Sequence, residues 1–125
     1  MFCILLAKVT CSDSLVYQDN TNQTLIGCSS ECNDEIIIPQ AVIEIFSYDQ
    51  DNYAFKNCKT QITSLRFELG CQVINISSYG YYPTNLVTVN LNECTKLTLL
   101  DSYVFNECTN LQSVILPLNI IRNKN

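Results

Sequence analysis

The chain has 125 residues, enough for one domain, with 47% apolar residues, a net charge of −5 and an isoelectric point near 4.4. Such a composition can fold, while the acidic balance argues against nucleic acid and anionic membrane surfaces, both of which attract basic patches. Histidine is absent, which removes the commonest general base and metal ligand, and with them Ser-His and Cys-His catalysis in this chain; neither an enzyme nor a cofactor is expected.

Residues 1–12 begin MFCILLAKVT. The run is too short to span a bilayer and lacks the positive start of a secretory signal, so it reads either as a clipped signal segment or as a first strand. No later apolar run reaches spanning length, so no transmembrane segment is expected. Residues 13–32 hold two apolar clusters, Leu15-Val16-Tyr17 and Leu25-Ile26, around the polar stretch Gln18 to Thr24. That is the pattern of a hairpin with a longish loop, read here as an N-terminal cap.

From residue 33 to 121 one instruction recurs. Ile36 and Ile38 precede Pro39, and Ile62-Leu65-Phe67, Leu86-Val89-Leu91 and Leu111-Val114-Leu116 follow. The last two apolar residues of each triplet lie two apart and share one face of a short strand. A second apolar pair, three apart, follows in most units: Val42 and Ile45, Val73 and Ile76, Leu97 and Leu100. The units start near 33, 62, 86 and 111, at spacings of about 29, 24 and 25, the first lengthened by the acidic insertion SYDQDN. A period in the twenties means stacked units that bury each other's apolar faces. About four rungs are expected, followed by a polar tail at 122–125. The last rung has no obvious polar cap, which predicts either self-association through an open C-terminal rung or a fragment of a longer array.

The stretches AFKNC, VFNECTNLQSVILP and Ile38-Pro39-Gln40-Ala41-Val42-Ile43-Glu44-Ile45 resemble the BspA-like (Treponema-type) leucine-rich repeats. The resemblance implies a repeat solenoid with short parallel β-strands on the concave face and short strands or helical turns on the convex face. It implies a non-enzymatic module that binds protein, acting as an adhesin or surface antigen at the cell surface or after secretion, with a cytoplasmic location as the alternative. Glu68 and Asn92 stand where the pattern has proline, and Gly80-Tyr81 where it has Ala-Phe.

The outward strand positions Ile37, Thr63, Ser64, Arg66, Thr88, Asn90, Gln112, Ser113 and Ile115 are the candidate binding residues. Asn22 and Asn75 begin glycosylation sequons. Tyr79, Tyr81 and Tyr82 cluster beside Pro83, where aromatics can serve as binding anchors; the repeat position favours instead that Tyr81 replaces the core Phe of its unit, with Tyr82 packed next to it. Phe105 is expected to be buried. Eight cysteines invite a disulfide framework, but Cys58 and Cys108 share one repeat position and read more simply as small buried fillers. Cys28 and Cys32 lie near the cap, where a disulfide between them or with Cys11 remains open. Without histidine or a C-x-x-C pair, zinc is not expected. Glu44, Asp49 and Asp51 lack the glycine and terminal glutamate of a calcium loop.

Overall fold

The computed structural model describes residues 15–49, 51–76, 82–100, 104–118 and 120. The segment 1–12, the tail 122–125, Cys3, Cys11, Ser77, Tyr79, Gly80 and Tyr81 lie outside the described residues. The chain forms eleven short strands among the described residues: β1 Leu15–Tyr17, β2 Thr24–Cys28, β3 Asp34–Ile38, β4 Glu44–Ile45, β5 Ser47–Asp49, β6 Asn52–Tyr53, β7 Ile62–Phe67, β8 Asn75–Ile76, β9 Thr88–Asn90, β10 Leu99–Leu100 and β11 Ser113–Ile115.

The main sheet is four-stranded, in the order β11-β9-β7-β3, and every pairing in it is parallel. Each strand comes from a successive unit, so sequence order and spatial order coincide. Strand β3 shows why these segments extend. Its three isoleucines are β-branched and favour the pleated surface, and Pro39, with no N–H to donate, follows as the ladder ends. The register puts Ile36 opposite Leu65, Leu65 opposite Val89, and Val89 opposite Val114. These residues form one apolar row facing inward. Ile36 and Leu65 are fully buried and Val89 nearly so, whereas Val114 is only partly buried. The decline has a simple cause: among the described residues no further strand covers β11.

Behind the main sheet run two smaller parallel ladders. Strand β2 pairs with β4, and β8 with β10. Strand β2 also pairs antiparallel with β1, so the N-terminal hairpin is joined to the first unit through its second strand. The backbone carbonyls of Gln23 and Leu25 accept from Ile43, Glu44 and Phe46, and that of Ile74 accepts from Thr98 and Leu99. Between these two ladders Ser47–Asp49 and Asn52–Tyr53, at the SYDQDN insertion, form the antiparallel pair β5–β6.

The core between front and back is apolar, apart from its thiols and Tyr82. Phe55, Tyr82 and Phe105 stack in one column, with successive ring centroids 5.2 Å apart and the second pair edge-to-face. Such aromatic pairs add about 0.5–1.5 kcal/mol beyond their burial. This column corrects two expectations. Tyr82, expected beside the column, stands in it between the two phenylalanines; its unit has a shorter connection into the following strand, with Leu86 four positions after Tyr82, against seven from Phe55 to Ile62. Phe105 is partly buried rather than fully so, as the last member of the column.

Side-chain amides tie the turns together. Gln61 donates from Nε2 to the Ser30 carbonyl at 2.9 Å, and Asn85 from Nδ2 to the Thr60 carbonyl at 2.7 Å. Both residues immediately precede the first apolar residue of their unit. Each thereby satisfies a carbonyl in the turn of the unit before it, a group that would otherwise rely on water.

Candidate functional site

The outward face of the main sheet carries two rows across the strands. Glu35, Ser64, Thr88 and Ser113 form one; Ile37, Arg66, Asn90 and Ile115 form the other. Alternation along each strand aims these side chains away from the Ile36–Val114 row. Seven of the nine candidate residues therefore come together in two adjacent lanes. Thr63 and Gln112 do not join them. A register shift between Asp34 and Glu35 leaves Thr63 as an extra residue opposite the β3 start, where Asp34 takes the left-handed φ of 67°. Gln112 precedes β11. Both instead border an open depression at the entry to the strands, with Asn85, Val87 and Asn110.

The lanes are linked by polar contacts. Arg66 Nε lies 3.3 Å from Glu35 Oε1, with the two side chains 47% and 38% exposed. Ser64 Oγ donates to Glu35 Oε2 at 3.4 Å, and Thr88 Oγ1 to Ser64 Oγ at 3.1 Å. Asn90 Oδ1 accepts from the Asn92 amide at 2.9 Å, which fixes the orientation of its side chain. Ile115, 48% exposed, closes one end of its lane with an apolar surface, and the partly buried Ile37 closes the other. The face thus offers apolar ends around a hydrogen-bonded centre. It holds one carboxylate and one guanidinium, paired to each other. Glu35 is the member missed in the sequence. Its signal was present: it lies two residues before Ile37 and so on the same face.

A second concavity lies on the back, between β4 and β8. It encloses about 90 Å³ and is lined by Glu44, Ile45, Ser47, Val73, Asn75 and Tyr82 among others. Pockets that hold small organic ligands run to several hundred Å³, so this cleft suits a few waters. The insertion beside it is internally satisfied: Asp49 Oδ1 accepts from the Asp51 amide at 2.8 Å and from Asn52 Nδ2 at 3.0 Å. Among the described residues, no three His, Cys, Asp or Glu side chains converge on a metal-sized space.

Asn22 is exposed in the β1–β2 connection with a left-handed φ of 59°. Asn75 is exposed at the start of β8, while Ser77 of its sequon lies outside the described residues. The cysteines divide differently from the expectation. Cys58 is bonded to Cys28, with the α-carbons 6.1 Å apart, and is not a free filler. The 3₁₀ turn Lys56–Cys58 packs against β2 and brings the two sulfurs together, a contact between neighbouring units that repeat position alone does not reveal. Cys32 is also disulfide-bonded. Cys108 is free and buried, in keeping with the filler reading. Its thiol donates to the Pro83 carbonyl at 3.3 Å, and burial, with Glu107 nearby, pushes its pKa up to about 11. Tyr82 is held well above the usual phenol range by complete burial, with the neighbouring thiols adding to the effect.

Among the described residues, no helix is long and apolar enough to cross a membrane. The family model described as the BspA type leucine rich repeat region matches residues 26–125, in six copies. No curated protein and no solved structure matches the chain.

Proposed function

Because the chain belongs to the BspA-type leucine-rich repeat family, whose architecture is a repeat solenoid suited to protein interaction, we propose that the main sheet is the concave face of that solenoid and the surface by which it binds a protein partner. The observation that carries this reading is the in-register lane Ile37–Arg66–Asn90–Ile115. Four parallel strands place one side chain each at a spacing of about 4.8 Å, so the lane is a continuous strip crossing the strands. Stacked-repeat proteins bind extended partners on strips of this kind. The apolar ends supply area to bury, and the Arg66–Glu35 pair supplies directional hydrogen bonds. An adhesin-like role at the cell surface or after secretion follows from the same reading. It is supported by the Cys28–Cys58 disulfide, since such bonds persist in oxidising compartments.

The test is a fourfold variant, Ile37→Lys, Arg66→Glu, Asn90→Asp and Ile115→Lys, compared with the unaltered chain on an array of immobilised extracellular proteins. The unaltered chain should bind at least one of them. The variant should lose that binding, with far-ultraviolet circular dichroism unchanged. Equal binding by both chains removes the sheet face from consideration.

A further inference from the structure

Cys71 and Cys94 occupy equivalent corners of two successive units, where the chain leaves the main sheet for the back. In the unit before them the corner is short: Ile38 ends the strand, Pro39 turns the chain, and Val42 is already the first buried residue of the back element, four positions on. The next two units have Glu68 and Asn92 in place of that proline. Six positions separate Phe67 from Val73, and six separate Leu91 from Leu97. The two added residues give each corner one more inward position. Cys71 fills it in one unit and Cys94 in the other, at 3% and 0% exposure. Tight turns aim both side chains into the core: the Cys71 amide donates to the Glu68 carbonyl at 3.1 Å, and the Cys94 amide to the Leu91 carbonyl at 2.9 Å. Their Sγ atoms lie 2.6 Å apart.

That separation exceeds a sulfur–sulfur bond of about 2.05 Å by only about half an ångström. No third titratable ligand accompanies the pair among the described residues, so the chemistry available to it is that of a dithiol. A disulfide between neighbouring units already exists in the same chain, at Cys28–Cys58.

We propose that Cys71 and Cys94 form a second inter-unit disulfide, closed by exchange with an external disulfide such as oxidised glutathione or the active-site disulfide of an oxidoreductase. One protein thiolate attacks the external disulfide, forming a mixed disulfide and releasing one thiol. The second protein thiolate then attacks the protein sulfur of that mixed bond, closing Cys71–Cys94 and releasing the other thiol. Two electrons and two protons pass from the protein to the external disulfide, which ends as two thiols. Cys71 is the better first nucleophile. Its thiol is held below its ordinary pKa by the hydrogen bond with Cys94, whereas that of Cys94 is raised by the same contact and by burial. Cys71 is also the less completely buried of the two, at 3% against 0%. The bond closes a loop of 23 residues in sequence separation and staples the second unit to the third, at the two corners that lack the stiffening proline. The inference does not depend on what the sheet face binds.

The full chain is refolded in a reduced and oxidised glutathione mixture, denatured in guanidinium with N-ethylmaleimide present, and cleaved after glutamate, which cuts after Glu93 between the two cysteines. The expected result is an unlabelled, linked pair of peptides carrying Cys71 and Cys94, two mass units lighter than the sum of the two thiol forms, with Cys108 labelled. Maleimide or glutathione on both Cys71 and Cys94 overturns the proposal, as does either of them linked to a different cysteine. A second measurement needs no peptide map: the excess in thermal midpoint of the unaltered chain over Cys71→Ala/Cys94→Ala should be larger after oxidation than in dithiothreitol. An excess that is the same in both conditions also overturns it.

Discussion

Glu35 and Arg66 meet across adjacent parallel strands, Oε1 to Nε at 3.3 Å, although 31 residues separate them in the chain. The contact exists because β3 and β7 lie side by side with Ile37 opposite Arg66 and Glu35 opposite Ser64, a diagonal that only this register produces. Both side chains are more than a third exposed, so solvent screens the pair. A double-mutant cycle with Glu35→Ala and Arg66→Ala should give a coupling of about 0.2–1 kcal/mol, shrinking as salt is added. A coupling above about 2 kcal/mol would mean that the pair is shielded from water in solution.

Phe55 is fully buried at the head of the aromatic column. Phe55→Ala should cost about 3–5 kcal/mol, read by urea unfolding. Phe105→Ala should cost less, because Phe105 is only partly buried at the other end. An equal loss at both positions would mean that something covers Phe105 in solution.

Reducing Cys28–Cys58, or replacing both residues with Ala, should lower stability by about 3–4 kcal/mol, the chain-entropy value for a loop of this length; the two cysteines are separated by 30 residues. Because dithiothreitol also opens the bond that holds Cys32, thermal unfolding of the unaltered chain against Cys28→Ala/Cys58→Ala, both without reductant, measures the loss. For Cys28→Ala/Cys58→Ala, the reductant should have a smaller effect than on the unaltered chain.

Gly70 holds a φ of +83°, and a side-chain carbon there would sit 2.9 Å from Gln40 Nε2. A left-handed backbone costs a residue with a Cβ about 1–2 kcal/mol, and the Gln40 amide must also move. Gly70→Ala should therefore destabilise by about that amount or more, whereas Gly27→Ala, whose added carbon would meet Val16 at an ordinary 3.4 Å, should cost less.

Alkali should destabilise the chain. Burial raises Cys108 to about 11 from an ordinary value of 9.0 and raises Tyr82 further above its own. A group whose pKa is raised on folding contributes its full stabilisation below the unfolded value, and loses it as pH climbs towards the folded one. Stability should accordingly be flat up to about pH 9 as far as these groups are concerned and fall between 9 and 11 for Cys108, with Tyr82 adding to the fall above 10. Cys108→Ala should flatten the first part of that decline in urea titrations at stepped pH.

The strand instruction was readable because it obeys a local rule. Two apolar residues spaced two apart, recurring every 24 or 25 positions, specify both the strand and its neighbour, and the Leu65–Val89–Val114 row follows. The same alternation marked Ile37, Arg66, Asn90 and Ile115 as outward-facing, and would have marked Glu35 had it been carried two residues back. What the sequence concealed depends on corner length. Tyr82 fills the aromatic column in a unit that is abbreviated before Leu86, and no periodicity announces how a shortened turn shifts the residue that enters the column. The Cys28–Cys58 bond was hidden for a related reason: Cys28 ends β2, where no recurring cysteine marks the position, so its meeting with the 3₁₀ turn is a tertiary event.

The first unit absorbs surplus residues in the β5–β6 hairpin at the back, while Ile36, Ile37 and Ile38 keep continuous register with Leu65, Arg66 and Phe67 at the front. This length variation is thus taken up behind the stretch of sheet that carries the lanes. A peptide tag or a small reporter spliced into that hairpin would ride outside the stack, leaving the lanes of the sheet as they are.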